Sequence, residues 1–388
     1  MPYLDHAATT PLREGALDAM LPYLRAEFGN PSSLHGPGRR ARVAVERARE
    51  QVASVLGAEP GEVVFTSGGT EADNLAIRGV LTGPALQDTR RPGLVTSATE
   101  HEAVLQTAHA LEAEGHPVAV LTPDAGGRLG AEAVAEAVTE QTGLVSIMLV
   151  NNETGVVQPL PEVAAAAHRG GARVHTDAVQ AAGLLALDID HLGVDLLSLS
   201  GHKVGGPKGV GALYVRAGTP FGPVQRGGAQ ERRRRGGTEN VAAIVGLGEA
   251  LALAEAEREA HAVRLGALRS RLRAAVESTF GDRVRVNSPE GGAPHILNVS
   301  FPPGPGGPLD GEMLLVALDL DGVHVSSGSA CTSGALEPSH VLLAQGVPRE
   351  TAAATVRLSL GRETTEADVD DAVAALQRVV GRMTGVDG

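Results

Sequence analysis

The stretch Leu196-Leu-Ser-Leu-Ser-Gly-His-Lys-Val-Gly-Gly-Pro-Lys-Gly209 organises the reading of the whole chain. Its first five residues form a short apolar run, and the glycines and proline that follow break it into a loop, so it reads as a buried strand ending in a functional turn. The turn holds Lys203 and Lys208, the chain's only lysines; the other basic residues among the 33 are all Arg. A guanidinium does not give up its proton in a protein and cannot serve as an amine nucleophile, whereas a lysine amine can. Two lysines could survive on a loop by chance, but scarcity and clustering favour a chemical role. Lys203 stands next to the strand end and is the better placed; Lys208 then packs or pairs within the Gly/Pro turn.

Outward from this stretch, short β-branched runs alternate with Ala-rich amphipathic segments from about residue 16 to residue 240. Strands are expected at 63–66, 93–97, 118–122, 145–150, 173–176, 196–200 and 212–215, with helical stretches such as 39–56 and 130–138 between them. This rhythm predicts an α/β fold with a mostly parallel seven-stranded sheet covered by helices. Residues 241–280 read as one or two long helices. Strands expected at 284–287, 296–301, 323–326 and 356–360 then form a smaller α+β domain. The division is a large domain at 16–256 and a small one made of 1–15 and 257–388, the latter carrying Cys331.

The net charge of −13 argues against general nucleic-acid or anionic-membrane binding, and the run Arg232–Arg235 reads as a solvated positive loop. One cysteine excludes an internal disulfide and a multi-cysteine zinc cluster, and no metal site is expected. The first residues lack the basic and apolar regions of a signal peptide, and no apolar run approaches the roughly 18 residues of a membrane span, so a cytoplasmic protein is expected.

Other polar groups follow the expected strands. The run 63–66 leads into Ser67-Gly-Gly-Thr70, whose glycines, amides and hydroxyl suit either a phosphate or a plain helix N-cap. Glu100-His101 follows 93–97, Asn151-Asn152-Glu153 follows 145–150, and Asp177-Ala-Val-Gln180 follows 173–176. Each has a bland reading as a turn or cap residue. In an open α/β sheet, however, ligands bind beyond the carboxyl ends of the strands, and all five pieces fall there. Anion cradle, amine, imidazole and carboxylate are the groups that pyridoxal phosphate (PLP) demands, the carboxylate keeping its ring nitrogen protonated. No nucleotide-binding G-x-x-x-x-G-K-[ST] or strand-borne G-x-G-x-x-G competes. Cys331 lies in Ser326-Ser-Gly-Ser-Ala-Cys-Thr-Ser-Gly334. A lone cysteine is often a small buried hydrophobe, but these polar and Gly-rich surroundings favour an accessible thiol, and a free thiol, with a pKa of about 8.5, already offers some thiolate at neutral pH.

With SGHK, GPKG, SGGTEADN, TEH, VNNETGV, TDAVQ, GGTEN and above all SSGSACTS, the chain resembles the cysteine desulfurases of the NifS/IscS type. These are class-V aminotransferases of PLP fold type I, and the resemblance runs from LDHAATTP to VRLSLGR. It implies removal of sulfur from L-cysteine, with PLP bound as a Schiff base on Lys203 and the sulfur received by Cys331. Gly69, Thr70, Ser200 and His202 would hold the phosphate, with Thr238 added by the neighbouring subunit of a homodimer. His101 would stack on the ring and transfer protons, Asp177 would meet the ring nitrogen, and Gln180 the phenolic oxygen. Asn152 would hold substrate and Arg357 its carboxylate. A sulfur-acceptor protein, such as an iron–sulfur scaffold or a tRNA-thiolation carrier, would be the partner. Two rivals remain: a selenocysteine lyase or other class-V enzyme with no need of Cys331, and a non-catalytic scaffold on the same fold.

Overall fold

The computed structural model describes residues 1–83, 87, 90–328 and 337–385, so Cys331 lies outside the described residues. Seven strands form one sheet: β1 Val63–Thr66, β2 Gly93–Ser97, β3 Val118–Leu121, β4 Thr142–Ser146, β5 Arg173–Asp177, β6 Leu196–Ser200 and β7 Gly211–Val215, in the spatial order β1-β7-β6-β5-β4-β2-β3. The pairs β2/β3, β2/β4, β4/β5 and β5/β6 are parallel, while β7 runs antiparallel to both β6 and β1. All but the edge strand β3 are almost wholly buried, as expected of strands covered on both faces by helices. Because β1 opposes β7 and β7 opposes β6, β1 points the same way as β6. The carboxyl ends of β1, β2, β4, β5 and β6 therefore open at one edge.

Three strands, β8 Arg285–Val286, β9 Ile296–Ser300 and β10 Thr355–Ser359, form a second, antiparallel sheet. A single helix, Val241–Phe280, links the two regions. Its residues up to Ala254 pack into the core beneath the large sheet, where Ala16 also lies. From Leu265 onward it packs into a separate core with Leu4, Phe301, Val356 and the helix Glu366–Thr384.

Two expected strands differ. β4 ends at Ser146 rather than running through 145–150: Ile147 and Leu149 still donate to His175 and Asp177, but the amide of Met148 turns to the buried Glu100 side chain. The expected strand at 323–326 is reduced to isolated bridges, His324 with Tyr3 and Ser326 with Arg357, because it divides its hydrogen bonds between the N-terminal segment and β10. The arginine run is also less free than its charge pattern implies. Arg235 pairs with Glu71 at 2.7 Å, and the backbone at Glu231, Arg232 and Arg233 takes positive φ.

Candidate active site

Beyond the carboxyl edge of the large sheet lies a cavity of about 360 Å³. β6 delivers Ser200, and a tight turn, Gly201–Lys203, presents His202 and Lys203. The Lys203 amine donates to the carbonyls of Ala7 and, at 2.8 Å, Ala8. Burial and the neighbouring Arg357 guanidinium pull it down to about 8, against the pull of Asp177 and Asp5. At neutral pH a useful fraction is thus neutral amine. Burial, with Lys203 and Lys208 adding to it, likewise holds His202 at about 4, so its imidazole is neutral.

Asp177 ends β5, and its carboxylate accepts from the amide of Val179 at 2.8 Å. Burial pushes this carboxyl up, while that amide, His101 and Lys203 hold it down. His101 caps the helix Glu102–Ala113 by accepting from the Ala103 amide through Nδ1, which orients its ring toward the cavity wall. Gln180 donates to the Ala7 carbonyl at 2.9 Å. Arg357, on β10, donates to the Asn152 carbonyl, Asp5 and Ser326, each at 2.8 Å. Gly69 and Thr70 open the helix Gly69–Leu81. A side chain at Gly69 would come within 2.9 Å of Val179, so only glycine leaves the helix end this close to the sheet.

All the expected site residues except two line this cavity: Gly69, Thr70, His101, Asn152, Asp177, Gln180, Ser200, His202, Lys203 and Arg357. Thr238 is exposed beside a different cleft of about 120 Å³, with Ser67, Gly209 and Arg235. Cys331 is the other exception, lying outside the described residues. The flanking chain touches one buried carboxyl, Glu153, which accepts the Ser339 hydroxyl at 2.5 Å and lies against Gly328.

The donor set fits PLP. Ser200 Oγ and Asn152 Oδ1 are buried without a hydrogen-bond partner in residues that line the cavity, as polar atoms awaiting a ligand would be. The neutral His202, the hydroxyl of Thr70 and the amides of a helix N-terminus suit a phosphate. Lys208, expected to pack within its turn, is instead exposed beside Thr70, Ser200 and His202 and adds positive charge at that end. The sequence reading missed the N-terminal contributions of Asp5, Ala7 and Ala8. The motif LDHAATTP pointed to that segment, but only the fold brings its carbonyls to Lys203.

An amine, a buried carboxylate and a phosphate cradle at the mouth of a mostly parallel sheet define a PLP enzyme of fold type I. The chain belongs to the class-V aminotransferase family, whose sequence model matches residues 2–372. It is 45% identical to the cysteine desulfurase IscS of Dictyoglomus turgidum, over 98% of this chain and 95% of that one. Among solved structures it is similar to a NifS-like protein, with a TM-score of 0.89 and 36% identity over 98% of this chain and all of that one. It is also similar to SspA in complex with cysteine, with a TM-score of 0.80 and 37% identity over 93% and 99% of the two chains.

Proposed function

We propose that the chain is a PLP-dependent cysteine desulfurase, converting L-cysteine to L-alanine and leaving the sulfur as a persulfide on Cys331. The observation that carries this reading is the Lys203 amine, held near pKa 8 between Asp177 and Arg357 in one cavity, in a chain so similar to cysteine desulfurases. PLP bound there supplies an electron sink for charge developing at the substrate α-carbon. Lys203 would hold the cofactor, and its amine would move the substrate α-proton. Asp177 would face the ring nitrogen, whose positive charge would offset the burial that raises its carboxyl. His101 would stack on the ring, Gln180 would meet the phenolic oxygen, and Gly69, Thr70, Ser200 and His202 would hold the phosphate. Asn152 and Arg357 hold the amino acid, Arg357 through its carboxylate.

Cys331 thiolate then attacks the substrate sulfur. A sulfur–sulfur bond forms, the carbon–sulfur bond breaks, and its electron pair stays with the carbon, which a proton caps to give alanine. The unit is a homodimer in which the neighbouring subunit supplies Thr238. The division into domains at 16–256 and at 1–15 with 257–388 is supported by the separate packing of Leu4 and Leu265 from Ala16 and Ala254. The persulfide passes to an acceptor protein in the cytoplasm, of the iron–sulfur or tRNA-thiolation kind. No helix among the described residues is long and apolar enough to cross a membrane.

Purified protein given L-cysteine and a thiol reductant is expected to release alanine and sulfide in equal amounts. Failure to form alanine in the PLP-loaded protein overturns the reading.

A further inference from the structure

Asp73 lies in the helix Gly69–Leu81, on the face that packs against the sheet through Ala72, Leu75, Ala76 and Ile77. An acid is out of place there, yet Asp73 is only 1% exposed and lines the cavity together with Asp177. Its Oδ1 has no hydrogen-bond partner and stands 3.7 Å from Nε2 of His175. Beneath it runs a chain of fully buried groups. His175 Nε2 meets the Ser198 hydroxyl at 3.0 Å, and His175 Nδ1 meets the Ser146 hydroxyl at 2.8 Å. His175 and Asp177 are two residues apart on β5, so both side chains point to the same face of the sheet.

A third acid, Glu100, is fully buried nearby. Its Oε1 takes the Met148 amide at 2.8 Å and its Oε2 has no partner. Asp73, Glu100 and Asp177 thus share one desolvated region. Among the described residues, Lys203, Arg357 and the His101 imidazole face it, and Arg357 is already paired with Asp5. Like charges so enclosed cannot all ionise. His175 offers no balancing charge, since burial pulls it down to about 3 and leaves it neutral. Burial and the charge of Asp177 push Asp73 well up against a hydrogen bond from Ser198, and burial with Asp177 raises Glu100 against the Met148 amide.

We infer that Asp73 is a positioning residue, held neutral and protonated above the His175–Ser198–Ser146 chain so that Asp177 alone of the three acids carries charge. The inference rests on the proposed pairing of Asp177 with the cofactor's ring nitrogen, through which Asp73 acts. Asparagine has the shape and charge of the protonated acid; alanine has neither its shape nor its polar atoms.

The test uses PLP-loaded protein with 13C-labelled aspartate carboxyls, followed by carboxyl NMR and by pH titration of the visible absorbance. The native protein is expected to show one protonated aspartic acid signal at neutral pH that disappears in Asp73→Asn. The absorbance midpoint is expected to hold within about twofold in proton concentration in Asp73→Asn, and to shift by roughly tenfold in Asp73→Ala, a shift of one pK unit. If every native aspartate is ionised at neutral pH, or Asp73→Asn shifts the midpoint as far as Asp73→Ala does, the inference is overturned. The NMR readout and Asp73→Asn decide the matter even if Asp73→Ala fails to fold. Absence of any visible cofactor band in native protein would instead overturn the PLP reading, while the carboxyl signal would still report on Asp73.

Discussion

Arg357 and Asp5, 352 positions apart in the chain, meet in a 2.8 Å ion pair at the wall of the cavity. Arg357 is almost fully buried and its Nε has no partner, so Asp5, Ser326 and the Asn152 carbonyl set the direction of the guanidinium. Asp5→Ala is expected to raise KM for cysteine by about tenfold with a smaller change in kcat, through loss of roughly 1.4 kcal/mol of orientation. Arg357→Ala is expected to lower kcat/KM by about a hundredfold, as befits hydrogen bonds from a charged group to a carboxylate. Steady-state kinetics of alanine release separates the two. Equal effects on kcat and KM in Asp5→Ala would contradict an orienting role.

Lys203 should govern loading of the cofactor with a defined pH dependence. Its amine is pulled down from the ordinary lysine value to about 8, so below pH 8 most of it is protonated and non-nucleophilic. The rate at which cofactor-free protein takes up PLP covalently is expected to rise about tenfold per pH unit up to pH 8, then level off. Lys203→Ala is expected to abolish the visible absorbance, while Lys208→Arg retains it. Borohydride reduction and peptide mapping identify the labelled lysine, and a pyridoxyl group on Lys208 would refute the assignment.

Thr238 lies exposed beside its own cleft, apart from Lys203 of the same chain. If it completes a neighbour's phosphate site, a heterodimer of Lys203→Ala and Thr238→Ala subunits carries both lesions in one site and neither in the other. About half the native activity should then return, as counting sites requires. No recovery above the parent variants, or an active monomer, would argue against a shared site.

Cys331 distinguishes desulfurase from other class-V chemistry. Cys331→Ser is expected to keep the absorbance of bound PLP and its change on adding cysteine, yet yield negligible alanine. Native protein given cysteine without reductant should gain one sulfur atom on the Cys331 peptide by mass spectrometry. Near-native turnover by Cys331→Ser would leave the proposed sulfur transfer without support.

Stability near the arginine run rests on Glu231. Its carboxylate takes both terminal nitrogens of Arg49, at 2.8 and 3.0 Å, and the amide of Phe65 at 3.0 Å, with both charged side chains buried. Glu231→Ala leaves the buried Arg49 guanidinium with only the longer contact to half-exposed Glu46 and the Val63 carbonyl, and should cost about 3–5 kcal/mol in urea unfolding. A loss below about 1 kcal/mol would mean that water replaces the carboxylate.

The sequence by itself determined the α/β class, the strands β1, β2 and β6 to the residue, and the strand ends and loops that carry His101, Asn152, Asp177 and Lys203. Those features are local: an apolar run, a glycine break and a rare lysine are each visible within a few residues. Tertiary structure decided what depends on distant partners. The truncation of β4 follows from Glu100 taking the Met148 amide, and the loss of a strand at 323–326 from competition between the N-terminal segment and β10. The contact of Asp5 with Arg357, the Ala7 and Ala8 carbonyls at Lys203, and the burial of Asp73 over His175 likewise join segments far apart in the chain. Local periodicity carries no record of such pairings, because they arise only when the sheet brings separate strand ends and the N-terminal segment to one edge.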